Sequence, residues 1–340
     1  MPDDLKGLSR EDVCRLIMKT PLWNGAEWHW FGFHFTFLLD PRAEHPFARA
    51  IIDALVVCDT AMPGYAEAFI ERLASVRGKE RFTPHYEQLM QIVAELHVIT
   101  QMVRFDWPGG AHFIMEPTPE GSKKNPEITI QHQGFTYGVE VKAPSLLAHI
   151  KARNENSTQL PGRMPSEMVE QVKREGEAMT LPRDNPVKDF LVSADAKFEH
   201  FKVADANFIG VLVIVWDDFI YEPISSLISE SAGLLTPNSF FKDSEGVAKT
   251  FQHVDGVFLI RKLHQFAREA GGQPLIDGCS NVMDYGQEGV FPFKVFIQNT
   301  KGVMVPEILQ RCLQGLPPTS EMGAEYTPKD LVWWTGTMNV

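Results

Sequence analysis

The residues from Phe208 to Trp216 form an unbroken apolar run that is rich in valine and isoleucine. The run is far shorter than the roughly 20 residues of a membrane-spanning helix. Its length and its β-branched residues are typical of a strand that is buried on both faces. A second apolar run, from Val254 to Ile260, predicts another buried strand. These strands predict an α/β protein in which helices flank a central mixed sheet.

The region before the first run predicts further elements in a fixed order. From Tyr86 to Phe105, apolar residues recur every three or four positions, which indicates an amphipathic helix that ends before Pro108. Alternating polarity and turn residues then predict three strands followed by two helices, over His112 to Met115, Glu127 to Gln131, Phe135 to Lys142, Ser166 to Ala178 and Pro186 to Lys202. The predicted order is therefore helix, three strands, helix and strand, an αβββαβ core.

Three regions are predicted along the chain. Residues 1–83 form a helical, aromatic-rich region, residues 84–265 form the core, and residues 266–340 form a mixed extension that packs on the core. The stretch from Trp23 to Phe35 is dense in aromatic residues. It is interpreted either as a hairpin or loop that packs against the core, or as a surface for a partner or for stacked bases.

The overall charge bears on the class of ligand. The chain of 340 residues carries a formal net charge of −12, which argues against a broad basic surface that coats nucleic acid. One local groove for nucleic acid remains compatible with this charge. The N-terminus is acidic and has no apolar core segment, so a cytoplasmic protein is expected. Four scattered cysteines without a CxxC pair favour reduced thiols over a disulfide or a zinc site.

The strand from Phe135 to Lys142 carries the strongest chemical signal. Because side chains alternate across a strand, Glu140 and Lys142 share one face, whereas Val139 and Val141 point to the other. Charged residues in such a strand are costly unless they are paired or bind an ion. Glu140 and Lys142 are therefore either residues of an active site or salt-bridge partners on an exposed strand face.

A second carboxylate on the preceding strand indicates a metal. Glu127 begins that strand, and the register of the hairpin decides whether it lies on the face of Glu140. Glu116 and Glu120 are alternatives nearby. Two close carboxylates repel each other, and a hard cation such as Mg²⁺ relieves the repulsion while keeping water ligands for a phosphate. A lysine beside it orients or deprotonates the attacking water, or stabilises charge on the phosphate.

Pro126-Glu127 at the start of one predicted strand and Glu140-Val141-Lys142 on the next resemble the PD-(D/E)xK nuclease superfamily, with glutamate in place of the more usual aspartate. The resemblance implies a restriction-endonuclease-like αβββαβ core. It also implies that Glu127, Glu140 and the main-chain carbonyl of Val141 bind metal, and that Lys142 acts in catalysis. Mg²⁺ is the implied metal, and Mn²⁺ is expected to substitute for it.

Two further residues match positions that members of this family commonly use. Glu95, on the helix before the first core strand, is implied as an additional metal ligand, although a helix glutamate is often only solvated. Lys197, on the helix after the third strand, is implied as an additional catalytic residue. Asp195 and Lys202 compete with it on the same helix.

The resemblance predicts a metal-dependent endonuclease that hydrolyses phosphodiester bonds. DNA is expected as substrate rather than RNA, in a bacterial defence or restriction-type role, with a homodimer as the form that cuts two strands. The alternative is a catalytically inactive, nuclease-like module for binding or scaffolding. A group of basic residues beyond the core strands is interpreted either as phosphate contacts or as a solvated surface: Lys123, Lys124, Lys151, Arg153 and Arg163.

Overall fold

A computed structural model describes residues 7–25, 28–36, 44–76, 83–117, 124–156, 158–159, 163, 166–174, 179–217, 220–288, 290 and 294–318. The strands are β1 (His112–Met115), β2 (Ile128–His132), β3 (Phe135–Lys142), β4 (Thr158–Gln159), β5 (Met179–Thr180), β6 (Phe208–Trp216), β7 (Gly256–Arg261), β8 (Lys294–Gln298) and β9 (Gly315–Leu316). The helices are α1 (Arg10–Met18), α2 (Pro21–Asn24), α3 (Trp30–Phe35), α4 (Pro46–Ala61), α5 (Tyr65–Ser75), α6 (Thr83–Arg104), α7 (Leu147–Glu155), α8 (Ser166–Arg174), α9 (Asn185–Ala204), α10 (Tyr221–Ile228), α11 (Leu263–Ala270) and α12 (Glu307–Cys312).

Seven of the strands form one mixed sheet in the order β1-β2-β3-β6-β7-β8-β9. Strands β1, β2 and β3 are antiparallel neighbours, whereas β3, β6 and β7 run parallel to one another. Strand β8 is antiparallel to β7 and parallel to β9. Strands β4 and β5 form a separate pair. The predicted α/β class, with a mixed sheet flanked by helices, is confirmed. Among the helices that the structure describes, none has the length and apolarity to cross a membrane.

Strand β6 lies at the centre of the sheet and separates two apolar cores. All nine of its residues are buried, as its sequence predicts. Val211, Val213 and Val215 belong to the core that contains buried residues of α1, α4, α5 and α6. Leu212 and Ile214 belong to a second core, which contains the apolar face of α9. The helices that precede the sheet and the helix that crosses to β6 therefore cover different sides of β6.

Most of the predicted elements are present within a few residues of their expected bounds. Strands β1, β3 and β6 have the bounds predicted for them, and β2 begins one residue later than predicted. The predicted helix from Ser166 to Ala178 is α8, and its last four residues lie outside the described ranges. Helix α7 and strand β8 were not predicted, because neither stretch combines clear periodicity with clear boundaries.

The aromatic stretch near the N-terminus differs from the prediction of a hairpin or loop. Residues Trp30–Phe35 form the short helix α3, and the ring of His29 accepts a hydrogen bond from the N–H of Phe31 at the start of this helix. Phe31 and Phe35 are buried on one face of α3, four residues apart. Trp28 and Phe33 are 45% and 61% exposed, so the stretch contributes both to the core and to the surface.

Candidate active site

Strand β3 presents its two charged residues on the side of the sheet that α9 covers. Glu140 and Lys142 lie beside Leu212 and Ile214 of β6, which belong to the core on that side. The preceding residue on this face is Gly138, and the ring of Phe208 lies 2.1 Å from the position that a Cβ atom would take there. Any larger residue at this position would displace the ring. Local packing thus explains the glycine in the Gly-x-Glu-x-Lys pattern of the strand.

Glu140 is completely buried and is held by two ammonium groups. Its Oε1 lies 2.5 Å from Nζ of Lys142 and 2.7 Å from Nζ of Lys197, and Lys197 also donates to Oε2 at 2.9 Å. Burial raises the pKa of the Glu140 carboxyl above its ordinary value, although the two lysines oppose this shift. Burial lowers the pKa of Lys142, but Glu140, Glu127 and Glu95 together outweigh burial and the net shift is upward. Burial and the lysines therefore act in opposite directions on the pKa of the Glu140 carboxyl, and the effect of burial is the larger.

Glu127, and not Glu116, is the second carboxylate beside the lysines. Its Oε1 lies 3.7 Å from Nζ of Lys197 and 3.9 Å from Nζ of Lys142, and its side chain is 12% exposed. The backbone N–H of Glu127 donates to the carbonyl of Val139 on β3, which fixes its position just before β2. The side chain of Glu116 is 53% exposed. Glu120 lies outside the described residues.

Glu95 of α6 approaches the same cluster through an arginine that the sequence analysis missed. A guanidinium nitrogen of Arg72 on α5 binds the carboxylate of Glu95. Nη1 of Arg72 lies 3.9 Å from carboxylate oxygens of both Glu127 and Glu116. Burial, together with the charge of Glu127, raises the pKa of Glu95 to about 8. In the sequence, Arg72 is visible only as a charged residue beside Leu73, which belongs to the apolar face of α5.

A small cavity of about 40 Å³ adjoins these groups. Arg72, Glu95, Glu127 and Glu116 supply its polar lining, and apolar side chains of α5, α6 and β1 supply the remainder. Carboxylates from α6, from the residue before β2 and from β3 are therefore gathered at one place, together with three cationic side chains.

Helix α9 carries Lys197 and its two competitors, and it directs them to different places. Lys197 reaches Glu140 and Glu127. Lys202 instead pairs with the buried Asp255, with 2.5 Å between Nζ and Oδ1. Asp195 accepts a hydrogen bond from the backbone N–H of His253 at 2.8 Å. Of the three, Lys197 is the one that joins the candidate site.

The carboxylate oxygens of this cluster suit a hard cation, but in the structure lysines balance the negative charge of the carboxylates. Carboxylate oxygens are the ligands that Mg²⁺ prefers. Within the part of the chain that the structure describes, however, no three or more His, Cys, Asp or Glu side chains are arranged to hold a metal ion. Instead, the ammonium groups of Lys142 and Lys197 contact Glu140. The side chain of Val141 packs into the opposite core. The donor chemistry therefore fits a divalent cation once a lysine moves away from these oxygens.

The basic residues beyond β3 have different roles from one another. Arg153 is buried and pairs with Glu222 at 2.5 Å, so it is neither a solvated residue nor a phosphate contact. Arg163 pairs with Asp184. The side chain of Lys151 is 75% exposed. Lys124 is also exposed, and Lys123 lies outside the described residues.

Comparison with protein-family models, with curated proteins and with solved structures found no match for this chain.

Proposed function

We propose that this chain is a metal-dependent nuclease that hydrolyses phosphodiester bonds in DNA. The convergence of Glu95, Glu127 and Glu140 beside Lys142 is the observation that carries the proposal. The order α6, β1, β2, β3, α9 and β6, with α7, β4, α8 and β5 inserted between β3 and α9, further supports a restriction-endonuclease-like core, because it matches the αβββαβ order of that fold. A bacterial defence or restriction-type role, and a homodimer that cuts both strands, belong to the same proposal.

Glu127 and Glu140 are the residues that would hold Mg²⁺ or Mn²⁺, with Glu95 and the carbonyl of Val141 as further ligands. A bound divalent cation would polarise the phosphodiester and lower the pKa of a bound water. Three carboxylates facing one another in a largely buried place repel each other, and this repulsion favours uptake of such a cation. Burial and the charge of Glu127 raise the pKa of the Glu140 carboxyl, and a bound cation would oppose this shift.

Lys142 acts in this proposal as a charged donor. Because Glu140 raises the pKa of its ammonium group, Lys142 keeps its proton at neutral pH and does not serve as a general base. Its three N–H donors orient the attacking water and stabilise the negative charge that builds on the phosphate oxygens. Lys197 contacts both oxygens of Glu140, so it orients a carboxylate of the site.

A catalytically inactive binding or scaffold module is the second candidate function. The observation that favours it is that ammonium groups contact both oxygens of Glu140, as in a permanently closed ion pair. Thermal unfolding with added Mn²⁺ separates the two functions. The nuclease is stabilised by Mn²⁺, and Glu127→Ala removes this stabilisation, whereas the inactive module shows no such effect.

Cleavage assays test the proposed nuclease directly. The purified chain is incubated with plasmid DNA, linear DNA, single-stranded DNA and RNA, with Mg²⁺ and with a chelator. We expect Mg²⁺-dependent cleavage of DNA, and we expect Lys142→Ala to abolish it while the protein keeps its fold.

Lys301→Ala is the matched control, since it removes the same group from an exposed position outside the candidate site. Cleavage that persists undiminished in Lys142→Ala, or that does not depend on metal, would overturn the proposal.

A further inference from the structure

Arg72 comes from outside the predicted core and lies between two of the candidate metal ligands. One end of its guanidinium group binds Glu95, and Nη1 lies 3.9 Å from Oε2 of Glu127. Nε is buried and has no hydrogen-bond partner among the described residues. Arg72 is therefore held mainly by carboxylates that belong to the site.

The lysines and the arginine take different oxygens of Glu127. Lys142 and Lys197 face its Oε1, whereas Arg72 faces its Oε2. The fork of a guanidinium group can satisfy two carboxylates at once, as a divalent cation does. Arg72 thus places its positive charge between Glu95 and Glu127, two of the side chains that would hold a metal.

Shared oxygen atoms make this overlap a competition. Among the described residues, Arg72, Lys142 and Lys197 lie against the same acidic side chains that would hold the metal. A divalent cation added while Arg72 stays in place would meet a guanidinium group within a few ångströms, and like charges repel strongly in a partly buried site. Removal of the guanidinium charge leaves the carboxylates in greater need of a cation.

We propose that Arg72 competes with the divalent cation for Glu95 and Glu127 and thereby sets the metal affinity of the site. This inference rests on the proposed function, because it takes these carboxylates to be metal ligands. Arg72 keeps the site closed at low metal concentration, and metal uptake requires that its ion pairs open. A residue that only braced the structure would act in the opposite direction, since its loss would misplace Glu95 and weaken metal binding.

Calorimetric titration with Mn²⁺ in the absence of DNA tests this competition. We expect Arg72→Gln to bind Mn²⁺ at least about tenfold more tightly than the unmodified chain, a change that corresponds to about 1.4 kcal/mol. Arg72→Lys keeps the charge but loses the fork, so we expect a smaller rise of about threefold. Arg49→Gln is the matched control and leaves the affinity unchanged, because Arg49 is an exposed helix residue that pairs with Glu44.

Circular dichroism and metal-free thermal unfolding establish that each variant is folded. If Arg72→Gln does not fold, Arg72→Lys decides by the direction of its change. Unchanged or weaker Mn²⁺ binding in the folded variants, beside clear binding by the unmodified chain, overturns the role of Arg72 and leaves the metal site intact. Absence of Mn²⁺ binding in the unmodified chain and in the Arg72 variants overturns the metal site and the role of Arg72 together.

Discussion

Two carboxylates of this protein, Glu140 and Asp255, are completely buried, and each pairs with a lysine of α9. Asp255 also accepts hydrogen bonds from the backbone N–H groups of Gly210, at 2.8 Å, and Val303, at 2.6 Å. Among the described residues, Glu140 receives no backbone N–H and is held by the ammonium groups of flexible side chains. The two acids are equally buried, but their partners differ in kind.

The difference separates an acid with a structural role from an acid whose partner cations can be exchanged. The backbone donors of Asp255 cannot leave without moving β6 or the segment that follows β8, so this acid holds the fold together. The ammonium groups of Glu140 can move by rotation about side-chain bonds, and another cation can take their place. Burial alone therefore does not identify a functional acid, whereas the identity of its partners does.

Glu140→Gln gives the largest expected effect. It keeps the size of the side chain but removes the charge, so we expect DNA cleavage to fall by about a thousandfold, at the upper end for loss of one electrostatic group. The melting temperature should fall less than in Asp255→Asn, because Lys142 and Lys197 keep Glu127 as a nearby counter-charge. Cleavage rates and thermal unfolding of the same preparation measure both. A variant that cleaves normally would show that Glu140 is structural, like Asp255.

Asp255→Asn gives the reverse pattern. The amide turns an acceptor into a donor that faces a backbone N–H, and it leaves Lys202 without its charged partner. We expect the free energy of unfolding to fall by about 3–5 kcal/mol, as for a broken buried pair. Urea unfolding measures this loss, and cleavage per folded molecule should be unchanged. If stability stays the same, the contrast between the two buried acids does not hold.

Glu95→Gln gives the smallest effect and distinguishes a third acid by its dependence on pH. Burial raises the pKa of Glu95 to about 8, so the folded protein retains a proton that the unfolded chain releases near pH 4.5. This contribution to stability is complete below pH 4.5 and is lost as the pH rises towards 8. Relative to Glu95→Gln, the unmodified chain should lose about 2 kcal/mol between pH 5.5 and 7.

Urea unfolding in the presence of a chelator measures the two pH profiles. Parallel profiles would mean that Arg72 keeps Glu95 ionised over the whole range.

The sheet was predictable where the sequence pattern is local. The continuous apolar run of β6 and the alternation of β3 depend only on neighbouring residues, and both strands have the predicted bounds. Helix α3 was not predicted, because its aromatic residues fit partial alternation as well as helical spacing, and the hydrogen bond from Phe31 to His29 is visible only in three dimensions. Local sequence patterns thus predicted the strands of the sheet better than they predicted the short helix α3.

The candidate site was predictable to a similar extent. Alternation alone placed Glu140 and Lys142 on one face, whereas the choice of Glu127 over Glu116 depended on contacts between β2, β3 and α9. Arg72 could not be found in this way, because its role depends on how α5 packs beside α6. A single arginine on an amphipathic helix has no local signature of such a contact.

The sequence separation between Glu140 and Lys197 has a consequence for synthesis of the chain. Lys197 follows Glu140 by 57 residues, so β3 leaves the ribosome well before the helix that supplies this lysine. Until α9 is made, the carboxylates on the growing chain lack one of their counter-charges, and the central strand β6 is absent as well. A chain that ends before α9 therefore has neither Lys197 beside Glu140 nor the strand that pairs with β3 in parallel.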